Sequence, residues 1–280
     1  MGTGHQEGRC LRRLIFANAQ GARRPLRAFF SAAPSLLEMR LGLRHSRLLH
    51  VKADEVEMHE DNGFIRKTVK LSQGTMDYWV AGEGPDLIYL HGAEGLSISA
   101  VPMRMKRKFR VWLPVISAVE GTAPVAGGDA MAESAGLLAE FIEQLPGKHC
   151  EVIGHAGGAQ LAAWLAILHP AKIEQLVLMA PVGFGSGPGQ ACDEDLITRS
   201  GEIQALTLIL AGSRDLQVPA QAVQGVKSRI RRSQLVYVYD AGHAMEFDQP
   251  ERVAALVEDF FVRGDAFIVN AGKAATAALA

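Results

Sequence analysis

The sequence predicts an α/β protein built on a mostly parallel β-sheet with helices on both faces. Three observations carry this: short continuous apolar runs, helical apolar periodicity between them, and glycine-rich turns where runs end. A strand with one wet face alternates apolar and polar residues, whereas a strand covered on both faces is apolar throughout. The runs at 87–90, 109–113, 150–153, 176–179, 206–210 and 235–239 are of the second kind.

The remaining elements follow in order. Residues 64–71 and 75–80 flank the turn residues Ser72, Gln73 and Gly74, which reads as a hairpin and brings the expected sheet to eight strands. Residues 130–145 place Met131, Leu137, Leu138, Phe141 and Leu145 near one helical face, and Pro146-Gly147 stops that helix. Residues 157–168 are apolar almost all round, which predicts a buried helix ended by His169-Pro170. Helices over 219–230 and 250–262 each open with proline, tolerated there because the first helical N–H has no partner to lose. Strands alternating with helices imply crossover connections and hence parallel pairing. There are no internal repeats.

Composition narrows the function. Of 280 residues 48% are apolar, and the net charge is −1. No apolar run reaches the roughly 18 residues that a membrane span needs. The charge balance gives no electrostatic reason to expect nucleic acid as a partner. Cys10, Cys150 and Cys192 are isolated, without metal-ligand spacing, which fits a reducing compartment better than a disulfide framework. The front of the chain differs. Between residues 8 and 50 there are nine arginines, no lysine and one acid, Glu38. That composition resembles an organellar transit peptide; a basic tail, or translated upstream sequence with Met39 or Met58 as the start, fits equally. The expected organisation is an extension over 1–60, a domain over 61–263 with a short insertion at 181–205, and a tail over 264–280. The expected location is cytoplasmic, with a mitochondrial or other organellar one as the alternative.

Four motifs fall at the carboxyl ends of predicted strands, where open α/β sheets bind ligands. They are His91-Gly92-Ala93-Glu94-Gly95, Gly154-His155-Ala156-Gly157-Gly158, Ala211-Gly212-Ser213-Arg214-Asp215 and Ala241-Gly242-His243-Ala244. In order and spacing, residues 64–262 resemble the α/β-hydrolase superfamily. The resemblance implies a nucleophile elbow with Ala156 at the nucleophile position, Asp215 as the acid and His243 as the base. It also implies an oxyanion hole from the backbone N–H groups of Ala93 and Gly157, and an insertion too short for a full helical lid. His155, Glu94 and Phe184 are candidate substrate-binding residues. His91 reads as a structural residue beneath the oxyanion loop.

Ordinary readings stand beside these. His243 in a glycine-flanked loop also admits an ordinary exposed histidine, as the lesser reading, and Asp215 before Val218-Pro219 a turn or helix cap. His155 either lines the pocket or packs in the core, and Glu94 is expected to face solvent or a cation. No metal or organic cofactor is implied; the expected partner is a small-molecule substrate or ligand, with homo-oligomerisation left open. Alanine has no lone pair with which to attack a carbonyl. Three explanations follow: a serine hydrolase for carboxylic esters or C–C bonds whose nucleophile has been replaced, a His/Asp-dyad lyase or cofactor-free oxygenase, and a non-catalytic binding protein.

Overall fold

The computed structural model of the chain describes residues 62–116, 128–185 and 192–268. The extension expected over 1–60 lies outside the described residues, as do 186–191 of the insertion and 269–280 of the tail.

The expected eight-stranded, mostly parallel sheet is present, in the order β1-β2-β4-β3-β5-β6-β7-β8. β1 (Ile65–Leu71) and β2 (Gly74–Ala81) form the antiparallel hairpin, and β2 pairs antiparallel with β4 (Arg110–Pro114). From β4 onward every pairing is parallel, through β3 (Asp86–Leu90), β5 (Cys150–His155), β6 (Ile173–Met179), β7 (Leu206–Gly212) and β8 (Ser233–Val238).

Side chains alternate across these strands, and the two faces feed two separate cores. On one face Ile88, Leu90, Val152, Leu176 and Ile209 pack against α2 (Gly128–Glu143), α3 (Gly157–Leu168) and α5 (Ala220–Arg229). On the other, Leu87, Tyr89, Ile153, Val177 and Leu208 pack against α1 (Ala100–Met105) and α7 (Pro250–Arg263). The apolar runs were continuous because both faces are buried: every residue of β3, β5 and β7 is buried. Helix α3, apolar all round, buries ten residues in succession from Gly158 to Ile167.

The topology fixes where a ligand would sit. From β3 the chain crosses one way to β4 through α1, then back over β3 to β5 through α2. Right-handed crossovers in opposite directions put these helices on opposite faces, and at such a switch point, here β3 and β5, open α/β sheets bind ligands outside the carboxyl ends of the strands. Two elements were not expected: α1, six residues interrupted by Pro102, and α6 (Met245–Asp248), a single turn. Both are too short for a periodic signal, and Ser99 starts α1 by accepting a hydrogen bond from the Val101 N–H at 3.3 Å. Past α7, Phe267 is buried against Phe260, with ring centroids 5.6 Å apart, so packing continues beyond Arg263. Among the described residues no helix is long and apolar enough to cross a membrane.

Candidate functional site

β5 runs to His155, and α3 begins at Gly157, leaving only Ala156 to turn the chain. Its backbone lies at φ 49° and ψ −112°, a positive φ that costs a residue with a Cβ roughly 1–3 kcal/mol and persists only where the surroundings enforce it. Two glycines do the enforcing. A Cβ on Gly154 would stand 2.4 Å from the Gly158 carbonyl oxygen, and one on Gly158 would stand 2.3 Å from the Leu90 carbonyl oxygen. Neither position admits a side chain. The Ala156 N–H is bound to the Met179 carbonyl at 2.9 Å, which ties the apex to β6. Gly157, at the N-terminus of α3, has no carbonyl one turn back for its N–H, so the donor and the positive end of the helix dipole face outward.

The His91–Gly95 loop lies against this turn. It is closed by the Gly95 N–H on the Gly92 carbonyl at 3.2 Å, with Ala93 and Glu94 exposed at its tip. A Cβ on Gly92 would stand 2.8 Å from Glu94 Oε2, 3.2 Å from His155 Nδ1 and 3.4 Å from Ala156 Cβ. The Glu94 side chain is therefore not simply directed to water: one carboxylate oxygen folds back over Gly92, towards the apex. His91 is buried, with Nδ1 2.8 Å from the Gly92 carbonyl and the Ile116 N–H 3.4 Å from Nε2. A carbonyl only accepts, so the proton is on Nδ1 and the ring serves as a brace.

β7 delivers Asp215. Gly212 lets the acid and base loops touch, since a Cβ there would lie 2.2 Å from the Gly242 carbonyl oxygen. Asp215 Oδ1 accepts the N–H groups of Gln217 and Val218 at 2.8 and 3.0 Å, and Oδ2 lies 3.0 Å from His243 Nδ1. The Asp215 side chain is fully buried and that of His243 is 11% exposed. Burial pushes the Asp215 carboxyl upward, but the His243 hydrogen bond, the two N–H donors and the His243 charge outweigh it and hold it below its ordinary range. With Nδ1 donating to Asp215, the other imidazole nitrogen is free to take a proton. Asp215 is thus both a turn cap and the hydrogen-bond partner of His243.

His155 joins the two halves. Its Nε2 donates to the His243 carbonyl at 3.0 Å, and its ring centroid is 5.5 Å from that of His243. It is buried, which favours the core alternative, yet its Nδ1 lies beside Gly92. Phe184 is also buried, in the same core cluster as Ala156 and Val182. The short insertion around it is anchored by Asp193, whose N–H binds the Gly183 carbonyl at 3.0 Å. Asp193 Oδ1 accepts the Leu196 N–H at 3.0 Å and starts α4 (Glu194–Arg199); Oδ2 accepts Gln160 Nε2 and Trp164 Nε1, both at 2.9 Å.

One feature of the site escaped sequence reasoning. Glu246, three residues after His243, is buried and takes hydrogen bonds from Tyr89 and Ser99. Nothing in Met245-Glu246-Phe247-Asp248 marks that glutamate as interior. Among the described residues no group of three or more His, Cys, Asp or Glu is arranged to hold a metal ion.

No protein-family model matches the chain. A pimeloyl-(acyl-carrier protein) methyl ester esterase of Nitrosospira multiformis is 33% identical over 102 residues, which is 35% of this chain and 38% of that protein. The acetyltransferase component of the acetoin cleaving system of Cupriavidus necator is 30% identical over 77 residues, 28% of this chain and 21% of that protein. The chain thus spans well under half the length of the curated relatives it matches. Among solved structures, a meta-cleavage product hydrolase from Pseudomonas fluorescens IP01 superposes with a TM-score of 0.58 at 17% identity, covering 70% of this chain and 97% of that one. Naproxen esterase from Bacillus subtilis gives a TM-score of 0.57 at 14% identity, covering 71% and 91%.

Proposed function

From the premise that the chain has the α/β-hydrolase fold, we propose that its site is a hydrolase centre for carboxylic esters or C–C bonds of small molecules, with alanine standing where the nucleophilic serine belongs. The observation that carries this is Ala156 itself, a non-glycine residue held at φ 49° between two glycines that cannot be replaced. Lys148, Ala180 and Asp240 also have positive φ; what marks Ala156 is that it joins a strand end directly to a helix start beside the Asp215–His243 pair. The Asp215–His243 pair beside it supplies an oriented base, and the N–H groups of Ala93 and Gly157 supply the oxyanion donors. The names of the relatives point to the same chemistry.

In this reading a serine hydroxyl at 156 gives its proton to His243 and attacks the substrate carbonyl; His243 passes that proton to the departing alkoxide or carbon group, leaving an acyl-serine. Water then attacks the acyl carbon as it gives a proton to His243, and the serine oxygen takes that proton back as the acid leaves. Loss of such a nucleophile costs on the order of a millionfold in turnover. Ala156→Ser adds one oxygen at a position already shaped for it. That variant should hydrolyse activated short-chain esters far faster than the parent; a folded variant as inert as the parent across varied esters defeats the reading.

The second reading is a serine-independent reaction in which the dyad activates water or the substrate itself. The intact 3.0 Å contact between Asp215 and His243 favours it. It predicts turnover by the unmodified chain that is lost on His243→Ala.

A further inference from the structure

We propose that Glu246 is a positioning residue, a buried strut that holds the His243 loop and the His91–Gly95 loop in fixed relation on either side of Ala156. The proposal rests on reading the site as a hydrolase centre. The hydrogen bonds of Glu246 go to Tyr89 and Ser99, not to the dyad.

A carboxylate 3% exposed is costly unless its oxygens are bonded, and Glu246 draws its bonds from the opposite side of the site. Tyr89 Oη lies 2.6 and 2.7 Å from its two oxygens, and Ser99 Oγ donates to Oε2 at 2.7 Å. Burial, then the Glu246 charge and its hydrogen bond, push the Tyr89 phenol well above its ordinary range, so it stays a donor. Tyr89 lies at the end of β3, just before the His91–Gly95 loop; Ser99 caps α1, just after it. One carboxylate from the base loop therefore holds both ends of the loop that carries Ala93.

A third group lies close by. His155 Nδ1 is 3.9 Å from Glu246 Oε1, while its Nε2 donates to the His243 carbonyl. From His243 the path runs through His155, beside the apex, to Glu246 and back along three residues of chain. Base loop and oxyanion loop are thus fastened through Glu246, and His155 of the elbow is bonded to the base loop beside it. A leucine of similar volume would fill the space but would leave two hydroxyls without their acceptor. Packing alone does not account for a carboxylate here.

The test compares the full chain with Glu246→Leu and Glu246→Asp. Without any chemistry, amide exchange should rise about tenfold in Glu246→Leu over both 91–99 and 242–246, with β6 and β7 unchanged. Glu246→Asp, which keeps the charge, should recover part of the protection. In the Ala156→Ser background, Glu246→Leu should slow labelling by a fluorophosphonate about a hundredfold, the cost of misplacing a catalytic group by an ångström. Exchange that rises only around 242–246, or labelling that is unchanged in a folded variant, overturns the proposal. Should the Ala156→Ser parent take no label at all, the hydrolase reading fails, and the exchange data still decide whether Glu246 couples the loops. Should Glu246→Leu not fold, Tyr89→Phe removes one strut bond and should loosen both loops together by several-fold; protection of 91–99 equal to the parent's overturns the proposal.

Discussion

Asp215 Oδ2 stands 3.0 Å from His243 Nδ1, and its other oxygen is held by two backbone N–H groups. The carboxylate is fixed before the histidine reaches it, so the imidazole has one orientation available. Asp215→Asn keeps the shape but offers an amide in place of a charged acceptor. In the Ala156→Ser protein this change should lower kcat on an activated ester by on the order of 10⁴-fold, through the wrong tautomer and lost stabilisation of the imidazolium. A loss of tenfold or less, in steady-state assays, would mean that Asp215 serves only as a turn cap.

The elbow should be intolerant of any added side chain. Gly158→Ala sets a methyl carbon 2.3 Å from the Leu90 carbonyl oxygen, backbone against backbone, where no rotamer offers escape. The expected cost is about 3 kcal/mol, the upper part of the range for overpacking. For a domain of this size that lowers Tm by roughly 10 °C in a thermal melt. A shift of one or two degrees would show that β3 and α3 do not approach as closely as described.

At the opposite end of β5, Glu151 is 7% exposed. Burial first, then the Glu174 charge, raise its carboxyl from an ordinary 4.5 to about 7, with Gln175 bonds offsetting part of the rise. Its Oε2 has no partner among the described residues. A carboxyl with a raised folded pKa binds more protons folded than unfolded, so stability falls as pH rises from 4.5 to 7 and the penalty persists above. Glu151→Gln carries no such charge. It should be more stable than the parent by about 3 kcal/mol at ~pH 8.5 and nearly equal at ~pH 4, in urea titrations at each pH. An equal difference at both would remove the titration as its cause.

Strand and helix order were legible because burial on both faces writes itself as continuous apolar sequence, from Leu87 to Leu90 and from Leu206 to Leu210. The glycines at 154, 158 and 212 were legible as punctuation, and each proves to be a backbone contact that excludes a Cβ. The strut was not legible. Glu246 finds Tyr89 and Ser99 across 157 and 147 residues of chain, and no local pattern reports such a partner. Nor was the turn of Glu94 over Gly92, which depends on how one short loop closes. Local sequence specifies which backbone shapes are possible; the buried polar contacts arise only when distant loops meet.

Position 156, in this reading, is a nucleophile site without its nucleophile. The most direct measurement is the mass of the Ala156→Ser protein, intact and as peptides, after exposure to a fluorophosphonate. A serine there, beside an oriented histidine and at the head of α3, should take up one phosphonyl group on the peptide containing position 156. The parent should gain nothing on that peptide. If the folded variant remains unlabelled while His243 and Asp215 stay in contact, the turn is not a catalytic elbow and the hydrolase reading is wrong.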